Sequence, residues 1–206
     1  MCSIESFMDE LAEIAGTDPV EYRLRHLNDE RAKAVIRSVA ERANWQKGTK
    51  GDGRRGRGIS FVRYETVKSY VALIADIRVD QNSNTIQVEH ITAAVDSGLI
   101  ITPNGISNQI EGAIIQGTSW ALKEMVRFDR QRVTSRDWAG YPILTFPEVP
   151  VLDVVLLNQP ELPPLGAGEA AMPPVPAAIA NAFFNATGKR LRQLPFDHER
   201  IRAALN

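Results

Sequence analysis

The chain has 206 residues, 44% of them hydrophobic and 24% charged, with a formal net charge of -1. That length suits one domain or one lobe of a larger one around a buried core, and the near-neutral balance gives no reason to expect nucleic acid or an anionic membrane as partner. No apolar run approaches the roughly 20 residues that cross a bilayer, and the single cysteine, Cys2, excludes an internal disulfide and fits a reducing compartment.

Residues 4–15 carry Ile4, Phe7, Met8, Leu11 and Ile14 at steps of three and four, the pattern of a surface helix with one face buried. The opening MCSIESFMDELAEIAG lacks the charged and apolar regions of a signal peptide. Asp18 caps a second predicted helix reaching about Leu27, with Pro19 in its first turn and Glu21 in capping-box position. A third starts at Asn28 or Asp29 and puts Val35, Val39 and Ala43 on one face. Nothing in these helices is poised for chemistry, so a structural role is expected of them.

The run from Gly48 to Gly58, GTKGDGRRGRG, is the clearest break in composition. Gly51, Gly53 and Gly56 satisfy the letters of G-x-G-x-x-G, but a phosphate cradle of that kind needs a strand before it and a helix after it. Here a polar helix end precedes and the β-patterned ISFVRYE follows, so the run reads as a flexible connector with solvated cations. It divides the chain into a helical segment, 1–47, the connector, 48–58, and an α+β lobe, 59–206.

Residues 59–64, 70–79 and 86–95 alternate as strands, with QNSN as a turn, and read together as an antiparallel meander. His90 lies in mid-strand without a second ligand at metal spacing, and His26 and His198 are equally isolated, so no metal site held by protein ligands is expected. Asp96 ends the third strand, Ser97 and Gly98 turn the chain, and a helix runs from about Asn104 to about Met125 with Ile110, Ile114 and Ile115 along one side. Gly112 and Gly117 each cost about 1 kcal/mol against Ala inside a helix. Two readings of them stay open: a close helix crossing, or a helix whose N-terminal amides and Gln109 face a phosphate or pterin. Glu111 reads as a structural hydrogen-bonding residue, and Trp120, Leu122 and Met125 read as core. A polar, turn-rich stretch covers 127–141, and 148–158 supplies one more strand.

The densest stretch is 165–195. Gly166, Ala167 and Gly168 precede a carboxylate, Glu169, on a loop that glycine allows to bend tightly or approach a ligand. Met-Pro-Pro-Val-Pro then stiffens the exit. From Ala177 a small-residue helix repeats Ala178, Ala182 and Ala186, stops at Thr187-Gly188, and is followed by Lys189, Arg190 and Arg192, placed where cations suit a helix C-terminus. A short helix closes the chain after Pro195. Taken alone, Glu169 is either a solvated loop residue or a general base at the mouth of a pocket.

These residues, in this order, resemble the xanthine dehydrogenase and aldehyde oxidase family of molybdenum hydroxylases. Gly166, Gly168, Glu169, Ala180, Asn181, Ala186, Thr187, Gly188, Arg190, Arg192, Leu194 and Pro195 match one of its signatures, and Asp96, Gly98, Gln109, Glu111, Gly112, Gln116 and Gly117 match another. Thr102 replaces an expected Asn, Ala170 replaces the proline that often follows the glutamate, and no GGxFG-like segment occurs. The likeness covers nearly the whole chain and within the family is to bacterial isoquinoline-oxidoreductase-like and nicotinate-hydroxylase-like large subunits.

What the resemblance implies is an α+β fold, the second molybdopterin-binding domain of the large subunit, with a mixed or antiparallel sheet packed with helices. It implies oxidation of an N-heterocycle or aldehyde carbon with water as the oxygen source, and Glu169 as the catalytic base. Gln109, Gly112, Gln116, Gly117, Gly166 and Gly168 would face the cofactor, a molybdopterin, expected as the cytosine dinucleotide, carrying molybdenum. Asp137-Trp138 and Tyr141-Pro142 resemble a loop that contributes to the substrate funnel. Iron–sulfur clusters would sit in a partner small subunit, since this chain lacks cysteine clusters for them. A segment like IESFMDELA lies deep inside a longer subunit in that family. The chain therefore reads as a fragment, inactive without an upstream part of the molybdenum subunit, and cytoplasmic unless an export signal lies upstream. The alternative is a non-catalytic remnant with an interaction or assembly role. A third class, nucleotide binding through GDGRRG, would require phosphate binding lost on Gly53→Val or Gly56→Val, and none is expected.

Overall fold

A computed structural model describes residues 1–206. Its N-terminal third follows the capping signals closely. Helix α1 spans Cys2–Ile14, α2 spans Pro19–His26 and α3 spans Glu30–Arg42. Asp18 Oδ1 accepts from the amides of Val20 (3.0 Å) and Glu21 (3.3 Å), and Asp29 Oδ1 accepts from Arg31 (3.0 Å) and Ala32 (3.3 Å). Each carboxylate satisfies amides that a helix start leaves without partners.

Strands β1 (Arg55–Arg63), β2 (Tyr70–Asp80) and β3 (Thr85–Asp96) form the expected antiparallel meander. The fourth, β4 (Val151–Leu156), joins β3 in parallel, so the sheet is mixed, in the order β1-β2-β3-β4. A parallel neighbour needs a long crossover, and α4 (Pro103–Leu122) with the loop after it provides one. Period-two alternation along β2 serves two cores at once. Val71, Leu73 and Ala75 meet Ile110 and Ile114 of α4 and Ile179 and Phe183 of α5 (Val175–Thr187), while Tyr70, Ala72 and Ile74 meet Val35, Ile36 and Val39 of α3. The sheet is thus covered on both faces, which is why β2 reads as an almost unbroken apolar run. Helix α6 (His198–Leu205), capped by Asp197, seats Ile201 in the larger core. No helix is long and apolar enough to cross a membrane.

Two expectations give way here. The connector 48–58 is not loose along its length, because β1 begins at Arg55 inside it. Gly56 and Gly58 lie flush on the Ala178, Ala182 and Ala186 stripe of α5. A Cβ on Gly58 would fall 2.7 Å from the Asn181 carbonyl carbon and closer still to Ala178 O and Ala182 N, and one on Gly56 would fall 2.6 Å from Ala186 N. Arg57 between them is no solvated cation: it pairs with Asp76 at 2.5 Å and donates to Ala43 O at 2.6 Å.

The second is α1, whose apolar stripe was expected inside. The helix instead buries Glu5, Asp9 and Ala12 and leaves Ile4 (59% exposed), Phe7 (58%) and Ile14 (82%) outward. The physical reason is what α1 packs against. Glu5 Oε2 accepts from Arg23 Nε at 3.0 Å and from the edge-strand amide of Phe61 at 2.8 Å, so the helix also covers an open sheet edge. Arg190 Nη1 donates to Asp9 Oδ2 at 2.7 Å and Arg192 Nη1 to Glu10 Oε1 at 2.7 Å, so both arginines hold α1, while Arg190 also lies over the Phe184 ring near the end of α5. Burial pushes the Asp9 carboxyl above its ordinary range, even with the Arg190 guanidinium beside it. We expect Ile14→Ser to change unfolding free energy by no more than about 0.5 kcal/mol, and Arg23→Ala, which strands the buried Glu5 carboxylate, to cost about 3–5 kcal/mol. Urea unfolding distinguishes the two; equal losses would put the apolar stripe back in the core.

Candidate active site

The predicted base, Glu169, depends on a clamp built from distant pieces of chain. At the end of β3, Asp96 is fully buried and accepts from Arg31 Nε (2.9 Å), Arg31 Nη2 (2.6 Å) and the amide of Gly98 (2.9 Å). Gly98 turns at φ +72°, and a Cβ there would run into Pro163 O. The turn then grips the returning chain: Leu99 N donates to Leu162 O (3.1 Å), Gln159 N to Gly98 O (3.0 Å) and Leu165 N to Ser97 O (2.8 Å). Asp96 and Gly98 are therefore structural, delivering the glycine loop to its place.

That loop meets the turn between β1 and β2. Ser69 Oγ donates to Gly166 O at 2.7 Å, and Tyr64 OH donates to Glu169 Oε2 at 2.6 Å. The bond to the carboxylate holds the Tyr64 hydroxyl proton, whose pKa is pushed up to about 12. Glu169 itself is exposed, and a Cβ on Gly168 would meet nothing within 4 Å. Two cavities, about 600 and 590 Å³, lie elsewhere: one beside Lys123, Glu148 and His198, the other beside Asp9, Trp45 and Asn185. Glu169 lines neither, so any exclusion of water from it requires a body laid over this face.

On α4 the two glycines have different surroundings. Gly117 is a close crossing, where a Cβ would sit 3.0 Å from both Met172 O and Val175 Cβ. Gly112 has nothing within 4 Å. It shares an exposed helix face with Gln109 and Gln116, while Ile110 and Ile114 are fully buried. Trp120, expected in the core, lies 43% exposed on that same face, because it follows Gln116 by one turn. Glu111, expected to hydrogen-bond within the chain, is half-buried with no partner in it. The result is a bare backbone patch between two carboxamides, each able to donate and accept.

Gly117 rests on Met172, and Met172 N donates to Glu169 O at 3.1 Å, so α4 and the Glu169 loop are joined through one residue. Gln116 adjoins that junction and Gly112 is about one turn back; Gln109 stands about 12 Å along the helix axis from Gly117. Asn181 is buried and structural, donating to Ile59 O at 2.9 Å. Tyr64 escaped the sequence reading. Its only signal was a tyrosine at the end of a strand, and nothing local ties it to a glutamate 105 positions on. Trp138, in the loop after α4, is 74% exposed.

Comparison with known proteins adds to this geometry. A family model described as the molybdopterin cofactor-binding domain matches residues 5–150, ending before Glu169. One of the nicotinate dehydrogenase subunits of Pseudomonas putida is 47% identical in an alignment taking in 98% of this chain and 18% of that one. The beta subunit of isoquinoline 1-oxidoreductase from Brevundimonas diminuta is 34% identical, over 93% of this chain and 24% of its own length. The chain thus spans less than a quarter of either relative. Of solved structures, quinoline 2-oxidoreductase from Pseudomonas putida 86 superposes with a TM-score of 0.62 at 27% identity, over 66% of this chain and 18% of that one. Aldehyde oxidoreductase from Desulfovibrio gigas reaches 0.74 at 16% identity, over 98% of this chain and 40% of that one, a likeness of fold.

Proposed function

The chain belongs to the molybdopterin cofactor-binding domain family, and from that premise we propose that it supplies the base and one cofactor-facing helix of a molybdenum hydroxylase acting on an N-heterocycle or an aldehyde. The observation that carries this reading is the junction at Met172, where the loop bearing Glu169 meets α4 at Gly117, beside the exposed face that carries Gln116 and Gly112. Relatives named for nicotinate and isoquinoline favour the heterocycle.

When bound, the molybdenum–pterin group supplies two-electron oxidation, with water as the source of the added oxygen. This chain's residues do the rest of what we assign to it. Gln109 and Gln116 offer carboxamides to the pterin, and Gly112 leaves the backbone between them bare. Gly117 seats α4 on the Glu169 turn, while Gly166 and Gly168 let the loop approach the ligand without side chains in the way. Glu169 accepts a proton at its carboxylate as oxygen is added to the substrate carbon. A covering body and substrate would exclude water from that carboxylate. We assign the covering body to the remaining part of a molybdenum subunit, the electron-accepting clusters to an iron–sulfur partner, and the pterin to the cytosine dinucleotide form.

Molybdenum and pterin content of the chain, purified from its native host, tests the reading. Stoichiometric metal in a complex with a larger partner is the expected result. A folded, metal-free chain that acquires no cofactor even beside an upstream lobe would leave the non-catalytic assembly role, which the outward apolar stripe of α1 otherwise favours. A sharper prediction concerns Gly112→Ala. With open space around it, the substitution should stabilise the isolated chain by about 0.5–1 kcal/mol through helix propensity, yet lower pterin content in the assembled enzyme. Undiminished pterin would remove the α4 face from the cofactor site.

A further inference from the structure

We infer that Tyr64 is a positioning residue for Glu169, its hydroxyl fixing the carboxylate from the turn between β1 and β2. The inference rests on the proposed role of Glu169 as base. That side chain projects from a loop with glycines at 166 and 168, exposed, with open space beside Gly168. Left alone it would sample many rotamers, and a general base works only when held within hydrogen-bond reach of the proton it takes. Tyr64 OH, at 2.6 Å from Oε2, is the side-chain bond that limits it.

Tyr64 is itself held firmly. It follows the last hairpin pair, Arg63↔Tyr70; its amide donates to Ser69 O at 2.9 Å, and its carbonyl accepts from Lys68 N at 2.8 Å. Its ring packs against the larger core. The turn closes through two non-glycine residues in the left-handed region, Glu65 (φ +47°) and Thr66 (φ +61°), a conformation retained only where surrounding contacts enforce it. The same turn grips the other end of the loop through Ser69 Oγ and Gly166 O, with the Lys68 side chain lying against Gly166. One hairpin turn therefore holds the glycine loop at both ends.

The chemistry suits the task. A carboxylate can only accept, and the phenol donates to it, so the two groups are matched as donor and acceptor. The ionic groups nearby are otherwise committed: Lys68 to Glu65 at 3.7 Å, Arg63 to Asp29 at 3.7 Å, and Asp96 to Arg31. The Tyr64 proton, held up to about 12 by that carboxylate, stays on the phenol through the working range.

Two measurements test this. In an NMR titration of the full chain with labelled tyrosine, the resonance lost in Tyr64→Phe should titrate near 12 in the wild type and fall back toward the ordinary 10.0 in Glu169→Gln, where no charge opposes the phenolate. A midpoint unmoved by Glu169→Gln would overturn the pairing. In the molybdenum-loaded enzyme, Tyr64→Phe should lower kcat about 10-fold or more, the scale of a hydrogen bond to a charged group, with KM little changed. A wild-type kcat in Tyr64→Phe, with Glu169→Gln inactive, would sink the positioning role alone. Full activity in Glu169→Gln would instead sink the function on which it rests.

Discussion

Replacing Glu169 with Gln should lower turnover of the molybdenum-loaded enzyme by about 10²–10⁴-fold, the range a positioned general base contributes. The expected loss is one of chemistry and not of folding. The side chain is exposed, and its carbonyl would still accept from Met172 N. Gln keeps the size of Glu and an oxygen that Tyr64 can donate to, but it takes up no proton near neutral pH. Pterin content and thermal stability should match the wild type. The measurement is steady-state turnover of an N-heterocycle such as nicotinate, with pterin content determined on the same preparation. Unimpaired turnover would make Glu169 the solvated loop residue that its sequence context alone permits.

The second large effect is on stability, at Gly58. Valine there would bring its Cβ into the backbone of α5, within 2.7 Å of the Asn181 carbonyl carbon and closer to Ala178 O and Ala182 N. Overpacking against yielding side chains costs about 1–3 kcal/mol, and here the obstacle is helical backbone whose hydrogen bonds resist displacement. We expect a loss of at least about 3 kcal/mol, equivalent to a fall of roughly 10 °C in Tm for a chain of this size. Against a typical domain stability of about 5–15 kcal/mol, that is a severe defect. Urea and thermal unfolding of Gly58→Val measure it. A Gly58→Val chain as stable as the wild type would show that β1 and α5 do not meet as closely as described.

Much of this arrangement was legible beforehand where the signal is local. Asp18 announced its helix, and the start of the next was narrowed to Asn28 or Asp29, of which Asp29 is the cap, because a cap needs only its own next few residues. Gly188 marked the end of α5, where it adopts φ +71°, and the three meander strands stood out as short β-patterned runs separated by turn residues. The Gly166–Glu169 loop stood out by composition. The α1 stripe misled for an instructive reason. Periodicity identifies which residues share a face, but the partners decide whether that face turns inward, and Arg23 and Arg190 drew the acidic face instead.

By itself, then, the amino-acid order determined the elements, their caps and the family likeness, because these depend on residues within a few positions of one another or on ordered motifs. Tertiary structure decided what depends on approach across the chain. It sets β4 parallel to β3 and lays the edge strand against α5 at Gly56 and Gly58. It also leaves Gly112 open while closing Gly117. Above all it brings Tyr64 to Glu169, a pairing that exists only once the hairpin turn and the Asp96–Gly98 clamp have both formed. A hydrogen bond acts over about 3 Å, and no pattern along the chain records which distant groups the packed core will carry to within that distance.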